Sequence, residues 1–320
     1  MQFITRGALC AVLLTAAMAA TAQEWPSKPI HLLVGSSPGG GTDAMARAVA
    51  DKLGPALKTV VVVENKPGAS NTLAADATAK STDGHTMVMG VSTAHAIAPH
   101  LLKLPYDTRR DLVPVVLVGS VPNVLVATNG LPVDTVAALV KLAKAQPGKV
   151  NYASSGAGST QHLAGEIFKD AAGVDIVHVP YRGSGPALVD LIGGQVQISF
   201  DTMPSVIGHI RNGKVKPLAV AAPQRNPQLP NVPTMKEAGY PGVEIGAWYG
   251  IYMPASTPKA VQERVHAEVT KLLALPDTRA RLEAIGAEIG GMTQQQFIDF
   301  NKAELARYGA VIKKNDIRLE

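Results

Sequence analysis

Residues 30–47, IHLLVGSSPGGGTDAMAR, restrict the fold more than any other stretch of the chain. They begin as an apolar run at 30–34, the length of a buried strand, and pass at once into glycine, serine and proline. Gly39, Gly40 and Gly41 let the backbone bend sharply and approach a bound group closely. Thr42 and Asp43 supply N-cap chemistry, and Ala44 to Arg47 read as helix. A strand that feeds a glycine turn and then a helix start leaves N–H groups unpaired where the helix dipole is positive, which is an anion site.

Two enzyme readings compete for this stretch. Gly35-Ser36-Ser37-Pro38-Gly39 fits the nucleophile elbow G-x-S-x-G. The elbow needs the N–H of the residue after the nucleophile, and Pro38 has none. Gly39-x-Gly41-x-x-Ala44 fits the relaxed dinucleotide fingerprint, with Glu64 placed for a ribose. A dinucleotide-dependent oxidoreductase is therefore the alternative function.

The same grammar recurs along the chain. Strands are expected at 60–63, 86–90 and 113–118, with helices between them, which implies a parallel βαβ sheet. Further strands are expected at 124–127, 150–153, 176–179, 197–200 and 218–221, again alternating with helices. A strand at 248–253 returns to the first set, and the chain is helical from Thr257, with a Thr293/Gln296 capping box. The expected fold is α/β: a two-domain clamshell of the periplasmic-binding-protein type II, each domain a mostly parallel sheet flanked by helices. Residues 23–120 plus 247–320 form one domain and 121–246 the other, with hinges near 120–122 and 244–246.

Ligands of open α/β sheets sit beyond the carboxyl ends of the strands. Those ends carry Ser36, Gly40, Gly41, Thr42 and Asp43, then Ser92, Thr93 and His95. In the second half they carry Ser155, Gly156, Ser159 and Thr160, then Tyr181, Arg182, Gly183, Ser184 and Gly185, and finally Asp201. A nucleotide enzyme needs one glycine turn and has no use for a matching set in a second half, so the pattern favours a binder over an enzyme.

Residues 1–22 read as a cleavable signal: Arg6, an apolar run at 8–20, and Ala20-Thr21-Ala22. That run is too short to span a bilayer. Cys10, the chain's 1 cysteine, lies inside it, so the mature protein has no thiol chemistry. Aromatic residues at 4% leave little for base stacking, and no basic run exists, which excludes nucleic acid as a partner.

These residues together resemble the solute receptors of bacterial tripartite tricarboxylate transporters, the TctC-like or Bug family. The resemblance runs from Trp25-Pro26-Ser27-Lys28-Pro29-Ile30 almost to the C-terminus. Its marks are Pro38-Gly39-Gly40-Gly41-Thr42-Asp43, Asn65-Lys66-Pro67-Gly68-Ala69 and Tyr152-Ala153-Ser154-Ser155-Gly156. Val179-Pro180-Tyr181-Arg182-Gly183-Ser184-Gly185-Pro186-Ala187 and Leu229-Pro230-Asn231-Val232-Pro233-Thr234 continue it. The resemblance implies a monomeric periplasmic receptor without cofactor or enzymatic activity. It implies closure on a small carboxylate (a dicarboxylate, tricarboxylate, amino acid or aromatic acid) and delivery to membrane permease subunits. By it, the turns at 39–43 and 181–185 grip carboxylates through backbone N–H groups and water. The family usually has proline and an aromatic residue where this chain has Gly35 and Ser36.

The remaining candidates have plainer readings beside functional ones. Asp43 and Asp201 each stand at a helix start and either cap it or meet a hydroxyl or ammonium of the ligand. Arg182 either pairs with the ligand or faces solvent. His162 and Glu166 are one helical turn apart, but no third ligand has suitable spacing, so no metal is expected and the pair reads as a solvated helix face.

Overall fold

The structure, a computed structural model, describes residues 25–318. The signal assigned to residues 1–22 lies outside them. Strand β1 (Ile30–Val34) pairs in parallel with β2 (Val61–Asn65) and β3 (Thr86–Val91). Helices α1 (Gly41–Ala56) and α2 (Thr72–Ala79) make the crossovers. Side chains of a strand alternate between faces. Accordingly Ile30, Leu32 and Val34 join Met45, Val49 and Leu53 of α1 in one core layer, while Leu33 joins Ala74 and Ala75 of α2 in the other. The sheet is buried on both faces, as a helix-flanked parallel sheet must be.

Strand β4 (Leu112–Thr128) is a single strand of 17 residues, where the sequence suggested two separate ones. Pro122 is what misled: proline reads as a break, yet here it closes the β4 ladder to β9 (Gly246–Pro254), opposite Gly246. Residues of β4 up to Pro122 run antiparallel to β9, and β9 runs antiparallel to β3. From Asn123 onward β4 pairs instead with β7 (Ile198–Thr202) and β8 (Val215–Val220), again antiparallel. The parallel expectation thus holds for β1–β3 but fails for β4, which serves both halves.

In the second half, β5 (Val150–Ser154) pairs in parallel with β6 (Ile176–Pro180) and β7. Helices α4 (Val136–Ala145), α5 (Thr160–Ala172), α6 (Ser184–Ile192) and α7 (Met203–Arg211) alternate with these strands, following the short α3 (Ala98–Leu101) of the first half. The strand path reads β2-β1-β3-β9-β4-β7-β5-β6. Helices α8 (Lys259–Ala274), α9 (Pro276–Ala284) and α10 (Gln294–Lys314) return to pack on the first half, and α10 starts with the Thr293/Gln296 capping box. Between α9 and α10 a short β10 (Glu288–Ile289), absent from the sequence reading, adds to β4. The result is the α/β clamshell. No helix among the described residues is long and apolar enough to cross a membrane.

Candidate functional site

One wall of the cleft is the start of α1. Gly40 is its N-cap and has no side chain to spend on capping. The intrahelical ladder begins with the Ala44 N–H donating to the Gly40 carbonyl at 3.0 Å, so the N–H groups of Gly41, Thr42 and Asp43 have no partner within the helix. Asp43 holds the turn from behind. Its carboxylate accepts from the Gly39 N–H (3.1 Å), Arg47 Nε (3.0 Å) and Asn65 Nδ2 (3.0 Å). Burial pushes the Asp43 carboxyl up, but those hydrogen bonds together hold it below the usual carboxylate value. It is charged and fully engaged.

The opposite wall is organised by Asp201, which is wholly buried. Its Oδ1 accepts from Ser184 Oγ (2.7 Å), the Thr202 N–H (2.7 Å) and Gln161 Nε2 (3.1 Å). Burial pushes the Asp201 carboxyl up against these bonds. Gln161 Oε1 in turn accepts from Ser155 Oγ (3.0 Å) and Thr160 Oγ1 (3.2 Å). One carboxyl and one amide therefore fix the polar groups that open α5, α6 and α7.

The loop between β5 and α5 is pinned from beneath by a stacked histidine pair, His162 and His178, with ring centroids 4.2 Å apart. Ser154 Oγ meets His178 Nε2 at 2.6 Å and accepts from the Gly156 N–H at 3.1 Å. His162 Nδ1 accepts from the Gly158 N–H at 3.1 Å. Glu166 accepts from Tyr152 Oη at 2.5 Å. The solvated reading of His162 and Glu166 is thus wrong: His162 is buried, and the pair is part of the loop's foundation. Burial, with His162 and Lys169 nearby, lowers His178 to about 3.

The two walls close to leave a narrow cavity of about 20 Å³ between them. Of the residues expected from sequence, Ser36, Gly40, Gly41, Thr42 and Thr93 line it from the first half. Ser155, Thr160 and Ser184 line it from the second. The halves also touch directly: Ser37 Oγ donates to the Arg182 carbonyl and Ser70 Oγ to the Ala157 carbonyl. Gly156, Tyr181, Arg182 and Gly183 line an outer cavity of about 230 Å³ at the mouth. The Arg182 side chain is exposed, which is the solvent-facing reading, and Tyr181 Oη donates to Asp190 at 2.7 Å. Gly185 packs against the Pro38 carbonyl.

Five expected residues stand behind the walls. Asp43 and Asp201 act as just described, and neither is the N-cap itself: Gly40 caps α1 and Thr202 caps α7. Ser159 caps α5, accepting from the His162 N–H at 3.2 Å. His95 is fully buried, stacked on Tyr252 at 3.8 Å and bonded through Nδ1 to Thr108 at 3.1 Å. Burial lowers it to about 3, so it is neutral. Ser92 lies buried just before the wide π-turn Thr93–Ile97, off the cavity. That turn sends Thr93, not His95, to the cleft.

Asn71, Gln161, Thr202 and Tyr249 line the cavity and were missed. Asn71 ends a run of left-handed residues, Ala69 (φ 43°), Ser70 (φ 55°) and Asn71 (φ 70°). Such a conformation costs a non-glycine residue about 1–3 kcal/mol and tends to collect at functional sites. A larger cavity, about 740 Å³, lies on the other face of the connecting strands, between Val121, Pro122, Ile245 and Gly246. Gly246 lines that one and Ala247 lines the cleft, as alternation along β9 requires. None of its lining residues opens a helix. Glu64, the proposed ribose acid, is paired with His31 on the neighbouring strand and lines neither the cleft nor its mouth.

A model of the tripartite tricarboxylate transporter family receptor matches residues 45–317. The protein BugT of Bordetella pertussis is 38% identical over 311 residues, covering 96% of this chain and 95% of that one. Rpa4515 of R. palustris, solved with adipate, superposes with a TM-score of 0.89 at 36% identity over 92% of this chain and 99% of that one. MatC of Rhodopseudomonas palustris, solved with bound malate, gives a TM-score of 0.86 at 32% identity over 90% and 100% of the respective chains.

Proposed function

This chain belongs to the tripartite tricarboxylate transporter receptor family, and from that premise we propose that it is a periplasmic receptor which closes on a small carboxylic acid and presents it to membrane permease subunits. One observation carries the reading. The starts of α1, α5, α6 and α7 meet around a single cavity, through Gly41, Thr160, Ser184 and Thr202. Unpaired N–H groups and positive dipole ends then face one another across the cleft, an arrangement suited to a carboxylate at each end. No carboxylate lines the cavity to repel such a ligand. Adipate in Rpa4515 and malate in MatC support the ligand class.

In this reading the protein binds without turnover, as a monomer, and the mature chain starts after the signal at residues 1–22. Residues 23–120 with 247–320 form one domain and 121–246 the other, hinged where β4 and β9 cross. Purified protein titrated calorimetrically with C4 to C6 dicarboxylates, citrate, amino acids and aromatic acids tests it. Dissociation constants in the micromolar range, about −8 kcal/mol, are expected for at least one dicarboxylate. The recovered acid is expected unchanged by mass spectrometry. Absence of binding across the whole panel, or conversion of the acid, overturns the reading.

A further inference from the structure

The cavity holds two unpaired polar groups, and one of them, the acceptor of Asn71, is left idle by a plain carboxylate. Ser36 is 5% exposed and Asn71 is 8% exposed, both line the cavity, and neither Ser36 Oγ nor Asn71 Oδ1 has a hydrogen-bond partner. A buried polar atom left unpaired is costly, so such atoms mark where a ligand completes the set. The two belong to adjoining segments. A Cβ on Gly35 would lie 2.6 Å from Asn71 Cα, so the backbone of Asn71 rests directly on the residue before Ser36. A Cβ on Gly40, the cap of α1, would lie 3.4 Å from Ser36 Oγ. The left-handed run at 69–71 is what seats Asn71 there.

We infer that this receptor selects a hydroxylated carboxylic acid, with the hydroxyl on the carbon next to the carboxylate that α1 holds. The inference rests on the receptor reading above and names its ligand class. A carboxylate only accepts hydrogen bonds, and Asn71 Oδ1 only accepts as well, so the two cannot satisfy each other. A hydroxyl donates to Asn71 Oδ1 and exchanges a second bond with Ser36 Oγ, which both donates and accepts. An ammonium group fits less well. It needs a carboxylate in the wall of the cavity, and neither Asp43 nor Asp201 lines it. A site built around such a group rejects the analogue that lacks it, because its own polar atoms are then left unpaired.

The test is calorimetry of the wild-type protein with matched acids: succinate, malate and aspartate, then glutarate, 2-hydroxyglutarate and glutamate. In whichever length binds, the hydroxy acid is expected to bind at least about tenfold more tightly than the unsubstituted acid. Ser36→Ala and Asn71→Gly, the latter chosen because glycine keeps the left-handed backbone, are expected to bring that ratio toward one, the hydroxy acid losing more affinity than the plain acid. Asn71→Asp keeps the acceptor but adds a charge that repels the ligand, and is expected to weaken both acids while keeping the ratio. Equal binding of hydroxylated and plain acids by the wild type, tighter binding of the amino acid, or an unchanged ratio in both truncated variants overturns the inference and leaves the receptor reading intact. No binding by any of the six acids overturns the inference, and only the further absence of binding across the wider panel overturns the receptor reading.

Discussion

Gly41 makes the tightest approach in the cleft. A Cβ there would stand 2.5 Å from Thr202 Oγ1 and 2.7 Å from Tyr249 Oη, so any side chain forces either those cleft-lining hydroxyls or the α1 start to shift. At Gly40 the same atom meets only ordinary contacts, Ser36 Oγ at 3.4 Å and Ser184 Cβ at 3.8 Å. Overpacking typically costs about 1–3 kcal/mol. Gly41→Ala is therefore expected to weaken acid binding roughly tenfold, and Gly40→Ala to change it less than about threefold. Comparable losses in the two variants by calorimetry would contradict the assignment. The turn at residues 39–43 was legible because its function sits in residue type: glycines, then threonine and aspartate before a helix. Asn71 was not, because nothing about Ala69 or Ser70 signals a left-handed backbone; tertiary contacts impose it. His95 misled for a similar reason, since the wide turn that buries it against Tyr252 leaves no mark in the sequence.

Among the elements, the β5–α5 loop depends on neutral imidazoles. His162 Nδ1 accepts from the Gly158 N–H, and a proton on that nitrogen would set two donors face to face. His178, on β6, falls from an ordinary 6.5 to about 3 in the fold, chiefly through burial and then through His162 and Lys169. The unfolded chain therefore binds the proton first. Its contribution to stability is full above pH 6.5, declines as pH falls below that value, and is lost by about pH 3. His95 adds a second contribution of the same sign. The unfolding temperature is expected to drop on acidification from pH 7 to 4, and His178→Gln to reduce that dependence by about one proton. A slope unaltered in the variant would remove His178 from the account. The alternation of strand and helix that builds this half was readable from apolar runs and glycine turns. The long β4 was not, because proline at a ladder end and proline at a break look alike in sequence.

At the scale of the whole molecule, the proposed closure has a direct reporter. Ser70 Oγ reaches the Ala157 carbonyl across the mouth. Cys10 is the only native cysteine, and it lies in the proposed signal. The double variant Ser70→Cys, Ala157→Cys is expected to cross-link under mild oxidation several times faster with a bound dicarboxylate than without. Equal rates, measured by gel shift under reducing and non-reducing conditions, would argue against ligand-driven closure. The architecture of two halves was legible from the repetition of junctions, but the way they join was not, since strand pairing is a property of distant segments. That join has a mechanical consequence. β4 and β9 pass from one half to the other side by side, Val121 opposite Ala247 and Pro122 opposite Gly246. A Cβ on Gly246 would lie 2.4 Å from the Val121 carbonyl oxygen, so the crossing is close as well as paired. The proposed opening is then no free swivel about a few single bonds but the flexing of a hydrogen-bonded ribbon, which would recoil toward a rest angle as a leaf spring does. In the proposed receptor the pace at which cargo leaves then depends on the stiffness of this two-stranded ribbon, whose Ala247 and Tyr249 also line the cleft.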